Sequence, residues 1–265
     1  AWAAGCPVIV KAHHAHPGTA LLVGELITTA VQKCGLPEGA FSLLFGEGRT
    51  TGQALVTNPI IRAVGFTGSR TGVRALFDLA SQRRDPIPVF AEMSSINPIF
   101  LLPELTQDEF DKIADGLFVS ATMGVGQFCT NPGIVFYQEG VPGNNFCNSF
   151  VEKMKKFEPA TMLHRGIRNS YGQGIEKISN GEGVKVLLGS NENKGEGECD
   201  AMPCVLDTSV NHFLNDSNFS LEIFGPATLL VSYRDRDDLL RVAGKLEGQL
   251  TASLFGHAEN LDEHE

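Results

Sequence analysis

Short apolar runs alternate with amphipathic stretches along the first third of the chain. Residues 7–10 form a continuous apolar run, typical of a strand that is buried on both faces of a sheet. Residues 19–32 carry apolar side chains at helical spacing. The same alternation predicts further strands over 41–45, 63–66 and 87–91, and helices over 50–57 and 73–80. Strands that alternate with helices in this way predict an α/β fold with a parallel, doubly wound sheet.

The pattern becomes mixed beyond residue 93. Helices are predicted over 110–123, 146–157 and 238–246, and strands over 134–137, 184–188, 229–231 and 251–255. We therefore place a boundary near residue 93. It separates a lobe over 1–93 from a lobe over 94–265.

Composition narrows the class of protein. The chain has 265 residues, of which 42% are hydrophobic and 20% charged, as in globular proteins. A net charge of −10 argues against a nucleic-acid partner, and no apolar run approaches the length of a membrane span. Six cysteines without CxxC spacing indicate reduced thiols and a cytoplasmic protein. The chain lacks an initiator Met, so we expect a piece of a longer protein.

One thiol stands out by its surroundings. Cys129 lies among small residues in the run 124–133, directly after the predicted helix over 110–123. Glu92 precedes it by 37 positions and follows a predicted strand. A thiol nucleophile needs a base that folding brings near it, and a carboxylate can serve. The alternatives are that Cys129 is a buried, unreactive thiol and that Glu92 is an ordinary surface carboxylate.

Two glycine turns follow predicted strands. The first, over 45–52, contains Gly48 and Gly52 and lets backbone N–H groups approach a phosphate, although it lacks the GxGxxG spacing. The second, Phe66-Thr67-Gly68-Ser69, repeats the arrangement, and Ser69 is also suited to cap the next helix. Two such turns at the carboxyl edge of a parallel sheet favour a dinucleotide.

Three basic side chains are further candidates to bind a phosphate. Lys11, His14 and Arg49 could form a cationic rim for an additional phosphate. The histidines at 13, 14 and 16 lack a nearby cysteine or carboxylate at ligand spacing, so we expect no metal.

Together these motifs resemble the aldehyde dehydrogenase superfamily. The resemblance rests on Phe66-Thr67-Gly68-Ser69, Glu92, Gly126-Gln127-Phe128-Cys129 and Glu222-Ile223-Phe224-Gly225-Pro226, in this order, and extends over essentially the whole chain. Finer features, including Ile96-Asn97-Pro98, resemble the NADP-linked branch of 2,5-dioxovalerate (α-ketoglutarate semialdehyde) and bacterial fatty aldehyde dehydrogenases. The resemblance implies a Rossmann-like nucleotide-binding lobe and an α/β catalytic lobe, each truncated at one end. It also implies that the full-length parent protein is a homo-oligomer.

The resemblance also implies a role for each site residue. Cys129 would attack the aldehyde, passing through a thiohemiacetal to a thioester, and Glu92 would activate water to hydrolyse it. The residues implied to hold the cofactor are Glu222 and Phe224 at the nicotinamide end, and Lys11, Gly48, Gly52 and Ser69 at the adenosine and pyrophosphate end.

Departures from the family pattern refine the expectation. Many NAD-linked members carry a Glu where this chain has His14, and a carboxylate would repel a 2′-phosphate that His14, Lys11 and Arg49 could accept. We therefore expect NADP, with NAD as the alternative, and a semialdehyde such as 2,5-dioxovalerate as substrate. The common Glu-Leu-Gly-Gly is here Glu92-Met93-Ser94-Ser95. Two alternatives remain: a CoA-acylating relative, and a silent chain that only binds nucleotide.

Overall fold

A computed structural model describes residues 1–189 and 197–257, and the chain divides into two units, Ala1–Ser94 and Ser95–Glu265. The first unit alternates strands and helices: β1 (Val8–Lys11), α1 (Pro17–Lys33), β2 (Phe41–Leu44), α2 (Gly48–Thr57), β3 (Val64–Thr67), α3 (Arg70–Ser81) and β4 (Val89–Glu92). The seven elements predicted for this part form, with ends displaced by at most three residues.

The strands of the first unit pair in parallel, β1 with β2 and β3 with β4, as two separate sheets. Helix α1 begins with Pro17 in its first turn and ends before Gly35, whose φ of 66° suits a glycine after a helix. Leu22 and Leu26 of α1 are 62% and 66% exposed. One face of this helix therefore presents large apolar side chains to solvent.

The second unit is built on one six-stranded sheet. Its elements are β5 (Ile99–Leu101), α4 (Gln107–Thr122), β6 (Ile134–Gln138), α5 (Val141–Met154), β7 (Ala160–Thr161), α6 (Arg165–Ser179), β8 (Lys185–Leu188), β9 (Asp200–Ala201), β10 (Cys204–Ser209), α7 (Val210–Asn215), β11 (Ala227–Tyr233), α8 (Arg236–Lys245) and β12 (Ser253–Phe255). The strand order is β12-β5-β6-β11-β10-β8, in which β8 runs antiparallel to β10 and the other neighbours are parallel.

Helices cover both faces of this sheet. On β6, Val135 packs with α4 and α5, whereas the next residue, Phe136, packs with the cluster that includes α6, α7 and α8. Alternate residues of a strand point to opposite faces, which explains the continuous apolar runs of β6 and β11. The predicted α/β fold with a parallel sheet is thus confirmed.

None of the helices in the described ranges is both long enough and apolar enough to cross a lipid bilayer.

Candidate active site

The segment that carries the thiol begins where α4 ends. Gly124, Val125 and Gly126 adopt φ values of 56°, 59° and 65°, so the chain passes through three consecutive left-handed residues. This conformation is unusual for a β-branched residue such as Val125, and it costs free energy that the surrounding contacts must offset. Cys129 follows in an exposed position. We call residues 124–131 the thiol loop.

The thiol loop lies against a turn that is remote in sequence, residues 222–226, which we call the cofactor turn. A Cβ atom placed on Gly126 would lie 2.2 Å from the carbonyl carbon of Gly225. The Asn131 Nδ2 atom donates to the Gly225 oxygen at 3.1 Å. Folding therefore brings two segments together whose key residues, Cys129 and Glu222, are 93 positions apart.

The cofactor turn carries Glu222 and Phe224, both partly buried. The Ser95 N–H donates to Glu222 Oε1 at 3.4 Å. Together with Ser95 and Asn131, both residues line a small cavity. A carboxylate can accept hydrogen bonds from ribose hydroxyls, and an aromatic ring can pack on a planar ring.

Gln127 ties the thiol loop to the segment before α6. Its Oε1 accepts from the Leu163 N–H at 2.9 Å, and its Nε2 donates to the Gly124 carbonyl at 2.9 Å. Two basic side chains follow on α6. Arg165 pairs with Glu198, and Arg168 Nε donates to the Asp200 carbonyl at 2.6 Å.

The implied adenosine-binding residues lie in the first unit. The Lys11 amine is 3.5 Å from the position of a Cβ on Gly48, so it lies beside the start of α2. Arg49 and Gly52 follow in the first turns of this helix. A cation next to a helix N-terminus attracts anions, because the dipole and the free N–H groups act in the same direction.

His14 is exposed, and its ring lies tilted by 31° against that of His13, with the centroids 4.5 Å apart. His13 also stacks on His16, at 5.1 Å. These rings follow Lys11 directly at the carboxyl end of β1. Cationic side chains and imidazoles are therefore concentrated at this end of the strand.

Glu92 and the second glycine turn are neighbours within the first unit. Glu92 pairs with Thr67 across β3 and β4, and the Gly68 N–H donates to the Glu92 carbonyl at 3.1 Å. The side chain of Glu92 is exposed at the carboxyl end of β4. Ser69 caps α3, and its hydroxyl accepts from Gly72 N–H at 3.3 Å. Capping of α3 is thus a sufficient structural role for the Ser69 hydroxyl.

Burial separates the other thiols. It raises the pKa of Cys147 and that of Cys204 to about 12, because a thiolate would be poorly solvated there. Both side chains belong to the core. Cys6 and Cys34 are exposed, as is Cys129, so position in the fold rather than exposure alone distinguishes the thiol loop.

Sequence reasoning gave no role to Asn97, yet its amide bonds two carbonyls of the thiol loop. It is 3% exposed. Its φ of 45° is a conformation that asparagine adopts more readily than most residues. In the sequence, Asn97 is visible as a polar residue between Ile96 and Pro98 and as part of the family resemblance, and neither signal indicates this contact.

Comparison with known proteins gives one family. The model of the aldehyde dehydrogenase family matches residues 1–263. The alpha-ketoglutaric semialdehyde dehydrogenase 2 of Azospirillum brasilense is 48% identical over 260 residues, 98% of this chain and 49% of that protein. The alpha-ketoglutaric semialdehyde dehydrogenase of Acinetobacter baylyi is 37% identical over 262 residues, again 98% and 49%. The chain thus spans about half the length of these relatives.

Solved structures share the fold. The glyceraldehyde-3-phosphate dehydrogenase GapN of Methanocaldococcus jannaschii, complexed with NADP, superposes with a TM-score of 0.79 at 20% identity, over 96% of this chain and 54% of that one. An NAD-dependent aldehyde dehydrogenase from Sinorhizobium meliloti gives 0.81 at 23% identity, over 98% and 51%.

Proposed function

The chain belongs to the aldehyde dehydrogenase family, and on that premise we propose that the protein oxidises an aldehyde to its carboxylic acid with a nicotinamide cofactor. The observation that carries the proposal is the contact of the thiol loop with the cofactor turn through Gly126 and Gly225. It joins the loop that carries an exposed thiol to the turn that carries Glu222 and Phe224, a carboxylate and an aromatic ring.

In this proposal Cys129 and Glu92 divide the chemistry. The Cys129 sulfur forms a bond to the aldehyde carbon, and after oxidation it retains the acyl group as a thioester. A bound nicotinamide supplies the acceptor for the hydride that leaves the adduct. Glu92 takes a proton from the water that hydrolyses the thioester, which releases the acid and restores the thiol.

Each unit carries residues that suit one end of a dinucleotide. In the first unit, the Lys11 amine beside the start of α2 offers a cation and backbone donors to phosphate groups. In the second unit, Glu222 offers a carboxylate to ribose hydroxyls and Phe224 a ring to the nicotinamide. We assign Gly48, Gly52 and Ser69 to the adenosine and pyrophosphate end on the family pattern.

We further propose NADP as the cofactor. Lys11, His14 and Arg49 give the carboxyl end of β1 and the start of α2 a positive character that suits a 2′-phosphate. In His14→Glu we expect kcat/KM with NADP to fall roughly tenfold relative to NAD, because a carboxylate repels the phosphate. Gln32→Glu, which adds a carboxylate elsewhere on the surface, is the control. An unchanged NADP/NAD ratio in His14→Glu would reject this assignment.

The substrate we propose is a semialdehyde such as 2,5-dioxovalerate, following the names of the two relatives described above. Two roles can be considered for Arg165 and Arg168: they bind a substrate carboxylate, or they are surface charges. Both make contacts within the protein, which favours the second alternative. A panel of 2,5-dioxovalerate, succinate semialdehyde and a long-chain aldehyde tests the choice. Comparable kcat/KM for all three would reject it. By family analogy we propose a homo-oligomer.

The decisive experiment follows reduced nicotinamide by absorbance. Cys129→Ala should abolish its formation, and Cys34→Ala, which removes another exposed thiol, should not. Glu92→Gln should retain one turnover and accumulate an acyl-enzyme that mass spectrometry detects. Full activity of Cys129→Ala would refute the proposal. An acyl-CoA product would favour a CoA-acylating enzyme. NADPH binding without turnover would favour a catalytically silent chain that only binds nucleotide.

A further inference from the structure

Asn97 connects the thiol loop to the buried part of the second unit. Its Nδ2 group donates to the carbonyl of Cys129 at 2.8 Å and to that of Asn131 at 2.9 Å. An amide nitrogen carries two protons, and these two bonds use both. The two carbonyls that flank Thr130 are therefore fixed by one side chain.

The Asn97 amide is itself held in place by hydroxyl groups. Its Oδ1 lies 2.9 Å from the Ser95 hydroxyl and 2.9 Å from the Thr251 hydroxyl. The Ser95 hydroxyl has a single proton and also lies 3.1 Å from Gln249 Oε1, so it can serve only one of these acceptors at a time. Thr251 provides the second donor. Asn97 Oδ1 thus keeps a hydrogen bond in either arrangement.

Ser95 is in turn anchored on two sides. Its hydroxyl accepts from Leu250 N–H at 3.0 Å, and Gln249 Oε1 accepts from Ile96 N–H at 2.8 Å. Ser95 is 5% exposed. This network therefore lies under the thiol loop, between the segment before β5 and the segment before β12.

The outer side of the thiol loop faces solvent, because Phe128, Cys129 and Thr130 are all exposed. The carbonyl of Cys129 is the main-chain group whose direction sets the ψ angle of this residue. Fixing it restricts rotation about the Cα–C bond, which would otherwise turn the N–H and the side chain of Cys129 together relative to the anchored carbonyl. We propose that Asn97 is a positioning residue: by holding the Cys129 carbonyl, it fixes the direction in which the thiol and its own N–H point. This inference rests on the proposed function for its consequence in catalysis.

The test uses Asn97→Gly, because glycine adopts the positive φ of residue 97 readily, so the variant removes the side chain without straining the backbone. Two hydrogen bonds to the thiol loop are lost, and the loss of about 1.4 kcal/mol from one of them already corresponds to a tenfold change. Amide hydrogen exchange in a peptide that covers residues 128–131 should therefore rise at least about tenfold. With a semialdehyde substrate, kcat should fall at least about tenfold, since small displacements of reacting groups are costly. The dissociation constant of NADPH should not change.

Thr251→Val is a milder variant that leaves the Asn97 amide in place and removes one donor to its Oδ1. Exchange in the thiol loop should rise two- to fivefold. Thr208→Val makes the same chemical change in β10, where the hydroxyl donates to the Gly183 carbonyl, and should leave the loop unaffected. An equal effect of both threonine variants would show general destabilisation and overturn the inference.

Asn97→Asp supplies a readout that a purely structural role would not move. A carboxylate at this position repels both carbonyls, whereas a protonated carboxyl can donate to one of them. The ratio of its kcat to that of the unchanged chain should therefore rise as the pH falls. A ratio independent of pH would count against the inference.

The hydrogen-exchange arm separates the two proposals. Wild-type exchange of the thiol loop in Asn97→Gly overturns the positioning role, whatever the activity. Raised exchange in a protein without any aldehyde turnover upholds the positioning of Cys129 by Asn97 and rejects the proposed function.

Discussion

Replacement of Gly126 by alanine tests the contact on which the candidate site depends. The added Cβ would lie 2.2 Å from the carbonyl carbon of Gly225, 2.3 Å from its oxygen and 2.4 Å from the Pro226 nitrogen. All three are main-chain atoms, so no side-chain rotation can relieve the overlap. The thiol loop and the cofactor turn would have to separate by roughly 1 Å, because carbon atoms pack best at about 3.5–4.0 Å.

The expected magnitude has two parts. An alanine at the φ of 65° costs about 1–2 kcal/mol, and overpacking of a buried contact typically costs about 1–3 kcal/mol. We therefore expect Gly126→Ala to lower the free energy of unfolding of the second unit by about 2–5 kcal/mol. Urea unfolding followed by circular dichroism measures this change. On the proposed function, the affinity for NADPH should fall as well, because residues 222–226 are displaced.

Two glycines of the same region serve as matched controls. Gly124 has a φ of 56°, but its added Cβ would meet the exposed ring of Phe128, which can rotate away. Gly124→Ala should therefore cost only the conformational part, about 1–2 kcal/mol. Gly116 lies in α4 with open space around it, so Gly116→Ala should stabilise by about 0.5–1 kcal/mol. Equal losses in Gly126→Ala and Gly124→Ala would refute the proposed contact.

Three further predictions concern the second unit. Hydrogen bonds from Thr106 lower the pKa of Glu109 from 4.5 to about 2, so its stabilisation is complete above the higher value and lost as the pH falls toward the lower one. The stability gap to Glu109→Gln in acid titrations should therefore close toward pH 2, and a gap that widened in acid would contradict this. Asp238 is 2% exposed and pairs with two arginines, so Asp238→Asn should cost about 2 kcal/mol in urea unfolding. The exposed Asp237→Asn should change the stability by less than about 0.5 kcal/mol, and equal effects would argue against the pairing. Because burial raises their pKa values, Cys147 and Cys204 should resist iodoacetamide at about pH 8 while the exposed cysteines react. Mass spectrometry of the native chain shows whether either buried thiol is modified early, which would contradict their burial.

Elements with a strong apolar pattern were predictable. Strand β6 (Ile134–Gln138) was predicted over 134–137, because a strand covered on both faces needs apolar side chains on both. Helix α4 was predicted over 110–123 from apolar side chains on one face, and it forms over Gln107–Thr122. Its true start was marked by Thr106 and Glu109, a capping box that the periodicity alone does not reveal.

Helix α6 was not predicted, although Tyr171, Ile175 and Ile178 have helical spacing. Two interior glycines lower its helix propensity and conceal the pattern. One of them, Gly174, has a tertiary reason: an added Cβ would lie 3.3 Å from Ile223 in the cofactor turn. A position chosen for close packing thus contradicts the local preference, and only the folded chain explains it.

The candidate site shows the same division. Cys129 and Glu222 could be singled out because their residue types carry chemistry. Asn97 could not, because its importance lies in the direction of one side chain and in a backbone angle that no periodicity encodes.

The solvent-exposed leucines of α1 affect how readily the chain aggregates in solution. At a net charge of −10, copies repel one another over distances that shrink to about 10 Å in 0.1 M salt. Added salt screens this repulsion, whereas the exposed apolar surface around Leu22 and Leu26 does not change. The chain should therefore stay in solution best at low ionic strength. At high protein and salt concentration we expect it to aggregate, which turbidity measures.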